Sequence, residues 1–430
     1  MLGDNFQCKT GEADALSILS TGGNAMGRRG IPLGIRDDGQ PMTIDPWNDV
    51  ATGRIPAPIY LTTGEIKFGK TGLQKLLMYR STLFAAGERP IRIVVDGFKR
   101  NDGVPEYGPI AEAMGAESIN LATARLNMFD PAMGVTQSSE LAMSRDTVSH
   151  LRAMANAPAI VTDSESTALR VSIEEMHRRY DNGGDIPSVL SLLQILNNHA
   201  ELRPVLPDGT AMNIPRPEFD SACIALMHAF MRLDGGDYGN MIGGTNSLAD
   251  PFRKRIVSLD FSQINDRERI LVQSLLWGWR RAFIQQGMDE FVTDGMFGDE
   301  NYEMWQYEVY ARQMYSYVKQ VRMTGGFICL STHQLGDFES LNEYATGMLE
   351  HVAGFFMGRT TKIETDRLRA RFGEEAMTDP FVEELQNLPK YHFIYYVPGY
   401  PPEKFKVVPT PWEMTLIDSD VANRRMLGIK

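Results

Sequence analysis

PAPIYLTTGEIKFGKTGLQKLLMYRSTLFAAG, residues 56–87, joins a short apolar run, a glycine-bounded octapeptide and a helical pattern end to end. The octapeptide Gly64-Glu65-Ile66-Lys67-Phe68-Gly69-Lys70-Thr71 fits G-x-x-x-x-G-K-[ST]. Glycines in such a loop let backbone N–H groups turn inward around phosphates. Lys70 is placed to reach the β and γ phosphates, and the Thr71 hydroxyl to hold Mg²⁺. Leu73, Leu76, Leu77 and Phe84 recur at helical spacing after Gly72, so a helix begins at the end of the loop and lends its positive terminus to the anion site. Lys67 stands where many such loops carry a small residue. Its side chain must therefore point away or add a second positive charge. Strand, loop, helix is the order a phosphate-binding loop requires, and the expected ligands are ATP and Mg²⁺.

Outward from the loop, RPIRIVVDGF (residues 89–98) is a β-branched run suited to a buried parallel strand. Upstream, residues 1 to about 55 are rich in Gly, Pro, Asp and Asn, and predict a hairpin of short β pieces. From about Ser138 to Leu233 strand signals are missing and the pattern is helical throughout. Strand and helix alternate again in RKRIVSLDFS, NDRERILVQSLLWGWRRAFIQQG, EFVTD and GGFICLSTHQ, with HFIYYV and KFKVVPT as terminal strand candidates. The expectation is an α/β P-loop core, mostly parallel sheet flanked by helices, interrupted by an all-α insertion. The divisions fall at 1–137, 138–233 and 234–430.

A chain of 430 residues with 43% hydrophobic and 23% charged residues has the composition of a globular protein rather than a disordered one. No run approaches the roughly 20 apolar residues of a membrane span, and the N-terminus lacks a basic-then-apolar signal pattern, so a cytoplasmic location is expected. The three cysteines, Cys8, Cys223 and Cys329, are too scattered for a disulfide framework or a metal site. Cys329, inside FICLS, reads as a buried thiol. A net charge of −12 argues against non-specific coating of nucleic acid by the whole surface.

A P-loop ATPase also needs a strand-end aspartate for the metal. By pattern alone Asp96, Asp260 and Asp294 compete, each equally readable as a solvated strand cap. Gln334, after FICLSTH, is a candidate γ-phosphate sensor because an amide can bond both phosphate and water. Its neighbour His333 reads as structural. Arg322 and Arg359, on either side of that strand, are candidates for an arginine given to a neighbouring subunit's nucleotide.

Taken in order, these segments resemble the C-terminal ATPase domain of the type IV secretion and conjugative-transfer ATPases, the TraC or VirB-four kind, within the HerA/FtsK group. The resemblance rests on Asp96, Glu106 and Tyr107 in VVDGFKRNDGVPEYG, on Asn127 in LNMFDP, on the helical block, and on STHQLGDF and KQVRMTGG. It implies a RecA-like core and a motor ATPase powering conjugative DNA transfer or type IV secretion. Partners would be further copies of the chain, as a hexamer, with components of a membrane-associated channel and DNA as a candidate. It implies attachment through those partners at the inner face of the cell membrane. It moves the metal role to Asp294, beside Thr71, and supports Gln334 and Arg322. The chain departs from the family pattern in two places. Gly295 stands where the family has a Glu after the metal aspartate, which leaves Glu300, Glu303 or Asp299 to substitute, or Asp289-Glu290 as the true pair. The family's N-terminal domain has no counterpart here. An assembly scaffold with little hydrolysis and an FtsK/HerA-like DNA translocase are the alternatives.

Overall fold

The computed structural model describes residues 30–417, apart from short breaks at 86–90, 99, 102, 117, 204–209, 211–213, 234–240, 243–244, 249–255, 287–292 and 300–301. The strands are β1 (Ile31–Arg36), β2 (Pro41–Ile44), β3 (Ile59–Thr63), β4 (Ile91–Gly97), β5 (Arg100–Asn101), β6 (Val104–Pro105), β7 (Ser118–Asn120), β8 (Ile256–Asp260), β9 (Thr293–Asp299), β10 (Phe327–Ser331), β11 (Gly354–Met357), β12 (His392–Tyr396) and β13 (Glu403–Val407). All but β5 and β6 join an 11-stranded sheet in the order β2-β1-β13-β12-β11-β3-β10-β9-β4-β8-β7. From β11 to β7 every pairing is parallel. From β11 to β2 every pairing is antiparallel. The hairpin expected upstream of the loop is β1–β2, and the two terminal strand candidates are β12 and β13.

The helices that frame the loop and build the helical block are α1 (Lys70–Ala85), α2 (Gln137–Met154), α3 (Asp163–Asp181), α4 (Val189–Asn197), α5 (Arg216–Phe230), α6 (Asp266–Gln286), α7 (Glu308–Thr324) and α8 (Lys362–Phe372). Strand β3 is buried at every position, as expected for a central parallel strand covered on both faces. Helix α1 lies under the sheet with Leu73, Leu76, Leu77 and Met78 in the core. It also buries Arg80, which makes a bidentate pair with Glu413 (2.8 and 2.7 Å) and donates to the Pro32 and Val408 carbonyls at 2.9 Å. A guanidinium so held is stable in the interior only because its donors are used.

Helices α2 to α5 follow one another with no strand between them among the described residues, and pack around Leu169, Leu192, Leu196, Phe219 and Leu226. Their starts are set locally. Thr136 caps α2, Thr162 forms a capping box with Glu165 at α3, and Ser188 caps α4. Cys223 and Cys329 are both buried free thiols. Among the described residues no helix is long and apolar enough to cross a membrane.

Candidate nucleotide site

The parallel arrangement puts the C-terminal ends of β10, β3 and β11 side by side, so the loop leaving β3 is flanked by the loops leaving its two neighbours. Open α/β sheets place ligands at this edge. The loop itself needs unusual backbone: φ is 144° at Gly64, 70° at Lys67 and 103° at Gly69. A Cβ on Gly64 would lie 3.1 Å from the Arg359 carbonyl oxygen, and one on Gly69 would lie 2.6 Å from the Tyr391 ring. The left-handed turn at Lys67 leaves that residue exposed.

Both neighbours pin the loop. On the β10 side Gly64 N donates to the His333 carbonyl (3.3 Å), and on the β11 side Glu65 N donates to the Arg359 carbonyl (2.7 Å). The Arg359 guanidinium lies 3.4 Å from the Glu65 carboxylate and over the Phe68 ring at 4.9 Å. Tyr391 N donates to the Phe68 carbonyl at 3.0 Å. Lys70 is buried, and its ammonium donates to the Gly64 and Glu65 carbonyls at 2.7 and 3.1 Å and meets His333 Nδ1 at 3.1 Å.

Thr71, at the start of α1, donates from Oγ1 to Asp299 Oδ2 at 2.7 Å. Asp299 ends β9, and its other oxygen accepts from Ser331 of β10. Hydroxyl and carboxylate oxygens are hard donors, and Mg²⁺ characteristically takes one or two protein oxygens while keeping water and phosphate. The pair therefore fits that ion.

Gln334 sits just past β10. Its Oε1 accepts from Arg367 Nη1 of α8 at 3.1 Å, and its backbone N donates to Asp337 at 3.1 Å. The next residue, Leu335, donates its N–H to Glu364 at 2.5 Å. Burial pushes the Glu364 carboxyl up to about 7, against the lowering effect of that bond and of Arg367.

Several expectations need correction. Of the expected strand EFVTD, residues 290–292 lie outside the described residues; the described strand runs on from Thr293 to Asp299, and Asp294 lies opposite Arg92 of β4, away from the strand's C-terminal end. Asp299 is five positions further along the strand, about 16 Å at the rise of an extended chain, so Asp294 is not beside Thr71. Gly295 lies inside the sheet, where a Cβ would meet the Phe327 ring at 2.7 Å and Ile93 at 3.3 Å. No side chain fits there, so its lack of a carboxylate says nothing about chemistry at the strand's far end. Asp96 is buried against Arg280 (3.5 Å) and Gln273 (3.4 Å), and burial raises its pKa. Asp260 caps its own strand by accepting from Ser262 N at 3.0 Å. Arg322, in the last turn of α7, is exposed and has no ion partner among the described residues. Glu300, Asp289 and Glu290 lie outside the described residues, as does the side chain of Glu303.

Sequence reading missed Asp299 as the carboxylate on Thr71, and gave His333 no part at the loop. The signal is present in GMFGDE, where an apolar pair is followed by a glycine and adjacent acids at the strand's end, beyond the EFVTD on which the sequence reading ended the strand.

No protein-family model matches the sequence, and no curated relative matches it. Solved structures do. One is VirB4 of Thermoanaerobacter pseudethanolicus, with TM-score 0.63, 16% identity, and coverage of 90% of this chain and 98% of that one. The plasmid coupling protein TrwB in complex with ADP and Mg²⁺ matches with TM-score 0.49 and 12% identity over 89% of each chain. The cytoplasmic domain of the Thermomonospora curvata type VII secretion ATPase EccC matches with TM-score 0.37 and 14% identity, over 91% of this chain and 30% of that one. At these identities the likeness is one of fold, and the chain has the P-loop NTPase fold that VirB4 has along almost its whole length.

Proposed function

We propose that the chain is an ATP-hydrolysing motor of a conjugation or type IV secretion apparatus, working as a homo-oligomer with Mg²⁺-ATP at the loop of residues 64–72. The observation that carries this reading is the Thr71–Asp299 contact of 2.7 Å, which joins the loop to the end of a different strand. It supports Thr71 and Asp299, rather than Asp294, as the residues that hold the metal. The likeness to VirB4 supports the setting.

In this reading the loop's backbone N–H groups and the N-terminus of α1 bind the phosphates. Lys70 exchanges its loop carbonyls for the β and γ phosphate oxygens. When bound, Mg²⁺ neutralises charge that builds on the bridging oxygen. Glu300 follows Asp299 directly in the chain, in the place the family resemblance reserves for the carboxylate that orients the attacking water. Gln334, with its carbonyl oxygen held by Arg367, presents its NH₂ as a donor to the γ-phosphate. Arg322, exposed and with no ion partner among the described residues, reaches the nucleotide of an adjacent copy.

The test is a set of variants of the oligomer. Lys70→Ala is expected to abolish ATP binding. Asp299→Asn and Glu300→Gln should retain binding but lower turnover by about a hundredfold or more, and Arg322→Ala should behave alike. Asp294→Asn is the control and should hydrolyse ATP normally. Full turnover in Asp299→Asn together with loss in Asp294→Asn would overturn the assignment.

A further inference from the structure

A cavity of about 880 Å³ lies where the helical block meets the core, lined by α2, the segment after it, α6 and the start of α7. None of the loop residues lines it. Its walls are built rather than accidental. Asn156 takes a left-handed φ of 54° just past α2, and Arg152 donates to the Ile160 carbonyl at 2.9 Å, so the segment 156–161 is fixed as one side. Ala142, Ala153, Val161, Ile270 and Val309 give an apolar lining.

The polar groups are unevenly satisfied. Asp146 is occupied, accepting from Gln313 at 2.8 Å and lying 3.5 Å from Arg281. Arg145 and Arg312, both exposed on the rim, have no hydrogen-bond or ion partner among the described residues. The lining carries three arginines, Arg145, Arg281 and Arg312, against two acids, Asp146 and Glu308, which leaves the cavity with a positive balance. His150 is 2% exposed and lines the same space, yet its Nε2 has no hydrogen-bond partner among the described residues. Burial holds that imidazole neutral, with its pKa lowered to about 4.

We propose that this cavity binds a small organic anion, a phosphate or carboxylate on an apolar body, gripped by Arg145 and Arg312. Guanidinium groups suit either head group through paired N–H donors, and the volume lies within the usual range of small-molecule sites. Because the cavity is shared by α2 and α7, its occupant braces the helical block against the core.

The full chain carrying Lys70→Ala, which removes anion binding at the loop, is titrated with 1-naphthyl phosphate, 1-naphthoate and 1-naphthol. At least one of the two anions should bind saturably and at least about tenfold more tightly than the uncharged alcohol, and the tighter one identifies the head group. Adding Arg145→Gln with Arg312→Gln should weaken the anion at least about tenfold and leave 1-naphthol unchanged. Both arginines are exposed, so the melting temperature should hold and confirm folding. Absence of saturable anion binding, equal binding of alcohol and anion, or binding indifferent to the arginine pair would each overturn the proposal.

Discussion

The helical block and the phosphate loop are stabilised on opposite length scales. In the block, each of three helix starts is set by a side chain within three residues: Thr136 on Ser139, Thr162 on Glu165, Ser188 on Ser191. At the loop, Gly64, Glu65, Phe68 and Thr71 are all bound by residues far along the chain, at positions 333, 359, 391 and 299. The block can hold its helices by local chemistry and a shared apolar core, whereas the loop keeps its shape only while other strand ends stay in place. Damage to the block should therefore be read as lost stability, and damage to the loop as lost binding.

The largest expected effect sharpens that division. Leu226→Ala removes a fully buried side chain from the core of the block and should cost about 2–5 kcal/mol in denaturant unfolding. ATP affinity in the folded protein should barely change. Next comes Gly69→Ala, which places a Cβ 2.6 Å from Tyr391 at a φ of 103°. Its predicted signature is ATP affinity weaker by about tenfold to a hundredfold in an equilibrium titration, with a smaller change in unfolding. Loss confined to stability would break the comparison.

A third prediction concerns pH. The folded-state pKa of Glu364 is raised from 4.5 to about 7, so folding favours its protonated form. The stabilisation is complete below about pH 4.5 and is lost as pH rises through about 7. Unfolding free energy measured across that window should fall, by about 2 kcal/mol from this group. Glu364→Gln, which keeps an acceptor for Leu335 N, should flatten that part of the profile. The smallest effect belongs to Thr162→Ala, which removes the α3 cap and should cost about 1 kcal/mol with no change at the nucleotide site.

Legibility in the sequence divides along the same length scales. Gly64 to Thr71 is a contiguous motif between a strand and a helix, and its residues need only their neighbours to be recognised. The helical block was legible because periodicity and caps are local. Asp299 was not, since choosing among strand-end aspartates needs the strand's bounds, and Thr293–Asp299 is a strand only because β4 and β10 pair with it. The same holds for His333 and Arg359, which reach the loop because β10 and β11 flank β3.

The sequence by itself determined the loop, its helix, the alternation of strands around them and the helical interruption. Each rests on interactions spanning a few residues, which spacing and residue type record directly. Only the tertiary structure decided which carboxylate meets Thr71, that Gly295 is a packing position, and that Gln334 is held by Arg367. Those contacts depend on the order and register of parallel strands, whose neighbours in space are far apart in the chain.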